Sequence, residues 1–161
     1  VRSRLISEED MVKQASEFAG TVPVRHLLPY WKTSNRYLFS GGSVNMRDAA
    51  VYAKEENWSK AVELWKQTYE TKKGKQKMYA AYNTALGYEM QDSIDTALEW
   101  ALKAQTLARE KSKTDKKETG EIHNGTISYY IFISMYVDEL EKRKEGMARL
   151  NMQMNRFDDD F

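Results

Sequence analysis

The residues of this chain best placed to do chemistry are two histidines, a run of aspartates, a glycine pair and a lysine-rich segment. None of them makes a working set. His26 and His123 have no Ser or acidic neighbour in a recognisable motif, and neither His-x-x-x-His nor Glu-x-x-His spacing occurs. His26, just before Leu27-Leu28, reads as a half-buried core or surface histidine. Asp158-Asp159-Asp160 lacks the alternating ligands and the glycine of a calcium loop, and reads as a solvated tail. Gly41-Gly42 lacks the lysine and third glycine of a phosphate loop. The segment Lys111–Lys117 has charge for phosphates but no interleaved aromatics, so it reads as a solvated connection. Asn124-Gly125-Thr126 has only the form of a glycosylation acceptor. With no cysteine, thiol nucleophiles, disulfides and Cys-ligated zinc are excluded. No catalytic, cofactor-binding or metal-binding residue is therefore assigned, and a non-enzymatic role is expected.

The elements that would position any site follow from an internal repeat. Ala49, Tyr52, Asn57-Trp58, Ala61, Trp65 and Thr68 return 36 residues later as Ala85, Tyr88, Ser93-Ile94, Ala97, Ala101 and Ala104. A period of this size, with small residues where helices cross and an aromatic one turn on, marks a helix–turn–helix repeat. Small side chains let two helices approach to roughly 8–10 Å. Asn57 and Ser93 suit the N-cap of each second helix, and Trp58 and Ile94 close the core behind the turn. The spacing predicts helices at about 44–55, 58–71, 77–91 and 94–110, with Trp58 and Trp65 largely buried and Ala85 against Ala97.

Punctuation organises the rest. Val1–Ile6 reads weakly as a strand. Ser7-Glu8-Glu9-Asp10 offers a capped helix start, with an end at about Ala19 before Gly20. Pro23 and Pro29 predict an interruption, a short helix between them and an irregular or extended stretch over Trp31–Phe39. Gly41-Gly42 is the hinge into the repeats. A long last helix should begin between Glu118 and Thr126, with Ile127, Tyr130, Ile131, Ser134, Val137 and Leu140 on one face. The expected divisions are 1–41, an N-terminal helix and arm; 42–110, two repeats; 111–117, a basic loop; 118–156, a C-terminal helix; and 157–161, an acidic tail.

The run Ala81-Tyr82-Asn83-Thr84-Ala85-x-x-Tyr88 with Ile94-x-x-Ala97 resembles a tetratricopeptide repeat, and Trp58-Ser59-Lys60-Ala61 with Trp65 resembles a second copy. Ala81 stands where that family usually has Trp, and Asp92 where its turn usually has Gly. A narrower resemblance rests on Leu28-Pro29-Tyr30-Trp31, Arg36-Tyr37-Leu38 and Gly41-Gly42, together with the Trp58–Trp65 and Tyr82–Glu89 segments. They are similar to the C-terminal half of a family of uncharacterised tetratricopeptide-type lipoproteins from Gram-negative gut bacteria. That resemblance implies a cell-envelope location, periplasm-facing or surface-exposed on the outer membrane, with a lipid anchor outside this chain. The lipid-bearing cysteine is absent, as expected of a fragment or processed form.

Composition fits this reading. The chain has 161 residues, enough for a substantial core. Its 30% charged residues suit solvated helix faces, and 25 basic against 24 acidic residues leave a net charge of +1. That balance calls for neither nucleic acid nor an anionic membrane. No apolar run approaches the roughly 20 residues of a spanning helix.

If the repeats are tetratricopeptide-like, the ligand stripe falls on Ser43, Met46, Ala50, Ala53 and Lys54 in the first unit. In the second it falls on Tyr79, Tyr82, Leu86, Glu89 and Met90. Met46, Ala50, Lys54, Tyr79, Tyr82, Leu86, Glu89 and Met90 are the candidate partner-binding residues, a mixed surface suited to a peptide or helix. The competing outcome is that the N-terminal segment or the C-terminal helix already fills this groove. The expected fold is mainly α: tetratricopeptide-like helical hairpins in an α-α superhelix, a long C-terminal capping helix and a short N-terminal arm. The expected function is protein–protein interaction or scaffolding without a cofactor, with glycan binding through exposed aromatics as the alternative.

Overall fold

The computed structural model describes residues 7–27, 33–114 and 128–159. The weak strand expected at Val1–Ile6 lies outside them. The described residues are helical, in the order α1 (Glu8–Leu27), α2 (Val44–Lys54), α3 (Trp58–Thr71), α4 (Gly74–Glu89), α5 (Ile94–Thr114) and α6 (Tyr129–Asp159). Two compact units divide the chain: Val1–Ser34 with Met147–Phe161, and Asn35–Gly146.

In the first unit, Ser7 starts α1 through a reciprocal pair: the Asp10 N–H donates to Ser7 Oγ at 3.1 Å, and Ser7 Oγ donates to Asp10 Oδ2 at 2.6 Å. The helix continues past the expected stop at Ala19. Gly20 is not among the left-handed glycines, the conformation by which a C-terminal glycine most often ends a helix. Pro23 is accommodated inside α1, where its missing N–H leaves the Ala19 carbonyl without its helical donor.

In the second unit, α2 to α5 pack each against the next. Met46, Ala49 and Ala53 of α2 share a core with Ala61, Val62 and Trp65 of α3 and with Ala80 of α4. A second core joins Ala81, Tyr82 and Ala85 of α4, Ala97, Ala101 and Ala104 of α5, and Ile133, Tyr136, Val137 and Leu140 of α6. Alanines bring α4 and α5 close, while α6 docks through large side chains. Trp65 is fully buried, whereas Trp58 is half-buried at the edge of the first core.

The two inter-helix turns are built alike. Glu56 and Asp92, 36 residues apart, both take left-handed backbone conformations, with φ of 59° and 56°. Around them the N–H groups of Asn57 and Ser93 donate to the carbonyls of Tyr52 and Tyr88 at 2.8 and 3.0 Å. Those of Glu56 and Asp92 donate to Ala53 and Glu89. This double pairing is the Schellman closure of a helix end. Asn57 then caps α3, its side chain accepting from the Lys60 N–H.

Boundaries shift modestly from expectation. The fourth helix starts at Gly74, and α5 runs through Lys111–Thr114, so the start of the expected basic loop is helical. The expected start of the last helix lies outside the described residues. Ser128 caps α6, its Oγ accepting from the Ile131 N–H. The helix reaches Asp159, taking in the start of the expected tail.

Candidate functional site

Residues 35–41 have no regular secondary structure and run over α4 and α6 as an extended strap. Three kinds of contact hold it, each supplied by a residue that α4 presents on one face.

The first is main-chain recognition. Asn83 is fully buried, and its side-chain amide reads both polar groups of one strap residue. Asn83 Oδ1 accepts from the Phe39 N–H at 3.1 Å, and Asn83 Nδ2 donates to the Phe39 carbonyl at 2.7 Å. The amide thus replaces the neighbouring strand that an extended backbone would otherwise need.

The second contact is aromatic. Phe39 stacks on Tyr79, with ring centroids 4.2 Å apart, and meets Tyr82 edge-on at 5.2 Å. Phe132 and Tyr136 of α6 close on Tyr82 at 5.5 and 4.8 Å, so Tyr82 lies beneath both strap and α6. Burial pushes the Tyr82 hydroxyl up to about 12.

The third contact is ionic. Glu89, at the end of α4, is 1% exposed and receives four side-chain donors from three residues. Arg36 grips it through Nε, at 2.9 Å from Oε2, and Nη2, at 2.8 Å from Oε1. The Tyr136 hydroxyl donates to Oε2 at 2.9 Å, and Arg143 Nη1 donates to Oε1 at 3.1 Å. Arg143 also binds Asp92 at 2.7 Å. Burial alone would raise the Glu89 pKa, but the Arg36, Tyr136 and Arg143 donors outweigh it and hold the carboxyl below the usual range. Burial and the Glu89 charge push the Tyr136 hydroxyl far up, so it stays a donor. A carboxylate at this depth is tolerable only with every lone pair engaged.

The expected partner stripe is therefore not an open groove. Met46, Ala50, Tyr82, Leu86 and Glu89 are buried. Tyr79 is half-buried under Phe39, while Lys54 and Met90 stay exposed and take no part in the network. Tyr79, Tyr82 and Glu89 do share one face, as their spacing requires, but the strap and α6 cover it. Tyr136 and Arg143 were not singled out from sequence, and Arg36 and Asn83 stood there only within motifs of resemblance, with no role assigned. Asn83 carried a local signal, a lone amide inside the small and apolar run Ala80–Ala85.

Among the described residues, no group of three or more acidic or histidine side chains is arranged to hold a metal ion. His123, the His26 side chain and Asn124–Thr126 lie outside the described residues.

Residues 47–142 match the family model described as Domain of unknown function (DUF6340), and residues 1–39 match the one described as Domain of unknown function (DUF8603). No curated protein and no solved structure matches the chain. The second match ends at Phe39, so the strap residues that enter the groove belong to it, while Asn83, Glu89 and Tyr136 belong to the first.

Proposed function

The chain belongs to the family described as a domain of unknown function (DUF6340), and we propose that it is a non-enzymatic protein-interaction scaffold whose helical unit holds an extended peptide segment. The observation that carries this reading is the strap. A side-chain amide pairing with main chain, an aromatic shelf and a buried counter-charge for arginine together form a peptide-recognition site. In this chain the occupant is its own Arg36–Phe39 segment.

The proposal includes the architecture. α2–α3 and α4–α5 are tetratricopeptide-like hairpins, a reading supported by the 36-residue recurrence of fully buried alanines and by the paired Schellman turns at Glu56 and Asp92. It also includes location as part of a bacterial envelope lipoprotein, which rests on the resemblance alone. No helix among the described residues is long and apolar enough to cross a membrane. The same resemblance implies membrane association through a lipid anchor outside this chain. The partner is a protein or peptide, with no nucleic acid and no cofactor.

The test is binding in trans. The full chain carrying Arg36→Ala and Phe39→Ala, which loosens the strap, is titrated with a fluorescent peptide spanning residues 33–42. The peptide should bind this variant and not the parent, and it should fail when its own arginine is replaced. A variant that keeps its helical circular dichroism yet ignores the peptide defeats the reading.

A further inference from the structure

On a different surface, α3, α4 and α5 carry lysines laid over aromatic rings. Lys77 Nζ lies 4.5 Å from the Tyr69 centroid, Tyr69 meets Trp100 edge-on at 5.0 Å, and Lys103 Nζ lies 4.2 Å over Trp100. Lys66 Nζ sits 5.8 Å from the Trp100 centroid and donates to the Tyr88 hydroxyl at 2.5 Å. Three ammonium groups and three rings thus form one continuous strip, and no residue that grips the strap belongs to it.

Among the described residues none of Lys66, Lys77 and Lys103 is paired with a carboxylate. Glu70 and Glu99 stand four residues from Lys66 and Lys103 on the same helices, a spacing that permits ion pairs, yet both lysines rest on rings instead. Rings fix the long side chains in place without neutralising them. An arriving carboxylate would then gain a charge-assisted hydrogen bond without first breaking a salt bridge, and with less rotamer freedom left to lose.

We propose that this strip docks an acidic peptide segment. Ammonium groups already cover the ring faces, which disfavours the stacking that a sugar ring or a nucleobase needs. The chain's net charge of +1 also provides little long-range attraction for a dense polyanion. Separate carboxylates along a peptide need neither. This goes beyond the strap reading and does not depend on it, because the surfaces are distinct.

The full chain is titrated by fluorescence anisotropy with a labelled glutamate-rich peptide and its glutamine counterpart. Oligothymidylate and a polyglucuronate oligosaccharide are titrated alongside. The glutamate peptide should bind, the glutamine peptide should not, and affinity should fall with added salt. The variant Lys66→Gln/Lys77→Gln/Lys103→Gln should bind about tenfold more weakly or worse. Lys103→Gln alone changes an exposed side chain, and it should weaken binding without moving the melting temperature. Lys54→Gln, off the strip, should leave binding intact. No binding to the parent overturns the proposal, as does equal binding by the folded triple variant. So does tighter, lysine-dependent binding of the oligosaccharide or the oligonucleotide.

Discussion

The two hairpins carry one pattern and live in different surroundings. Met46 and Tyr82, Ala49 and Ala85, and Ala61 and Ala97 are equivalent positions, all buried. Elsewhere the equivalence breaks. Val51 is 53% exposed, whereas its counterpart Gly87 is buried under Val62 and Trp65. Ala53 has Glu89 as its counterpart, an apolar contact in one hairpin and the centre of an ion cluster in the other. The cause is neighbours. α2 leaves Val44, Arg47, Asp48, Val51 and Lys54 in solvent, but α4 is enclosed by α3, α5, the strap and α6. The recurring spacing tells which residues face the partner helix of the same hairpin. It does not fix what lies on the other sides.

The largest effects are expected where each hairpin relies on one irreplaceable side chain. Trp65 fills the first core, and its counterpart in the second hairpin is only Ala101. Trp65→Ala should cost about 3–5 kcal/mol in chemical denaturation, as for other large buried aromatics. In the second hairpin the comparable loss is electrostatic. Glu89→Ala leaves Arg36 and Tyr136 facing each other without their acceptor, and breaking a buried pair from one side costs about 3–5 kcal/mol. A Trp65→Ala protein that melts like the parent would sink the packing account of the first hairpin. A mild Glu89→Ala would sink the ionic account of the second.

The same carboxylate gives the second hairpin a pH dependence of its own. The Glu89 pKa is depressed in the folded chain, so its contribution is fully present above the ordinary glutamate value of 4.5 and is lost as pH falls through the lower folded value. Denaturation midpoints should therefore fall on acidification below about pH 4.5 more steeply in the parent than in Glu89→Gln. Superimposable pH profiles would show that Glu89 does not report folding in this way.

Between these extremes lies the pair Val51 and Gly87. A β-carbon at Gly87 would press on Val62 and come within 3.1 Å of Trp65 Cζ3, so Gly87→Val should cost about 1–3 kcal/mol by overpacking. Val51→Lys, at the equivalent exposed position, should change stability by no more than about 0.5 kcal/mol. Equal costs at both sites would mean that α2 is as enclosed as α4.

The helices of α2 to α5 were readable to within a few residues because alanine spacing, turn residues and caps all act locally. The stripe Tyr79, Tyr82, Leu86 and Glu89 was likewise placed correctly on one face. What covers that face was not readable. The contact of Arg36 with Glu89 spans 53 residues, and that of Arg143 with Glu89 spans 54; no periodicity encodes such pairings. Ser7 announced the start of α1 through a bond three residues away, but Gly20 misled. A glycine's identity shows that it can end a helix, and only its neighbours decide whether it does.

The smallest test separates the two turns, which are otherwise the most alike parts of the hairpins. Glu56 and Asp92 both occupy left-handed backbone, which favours glycine over any residue with a β-carbon. Among the described residues Glu56 has no side-chain partner, so Glu56→Gly should relieve strain and raise stability by up to about 1 kcal/mol. Asp92→Gly gains the same relief but gives up the bond to Arg143 at 2.7 Å, an arginine that also supports Glu89. The two effects are of similar size, since exposed ion pairs contribute up to about 1 kcal/mol, so the net change at Asp92 should lie near zero. Matched melting curves of the two glycine variants read the difference directly. Equal stabilisation by both would show that the Asp92–Arg143 contact contributes nothing, and that the ion cluster ends at Glu89.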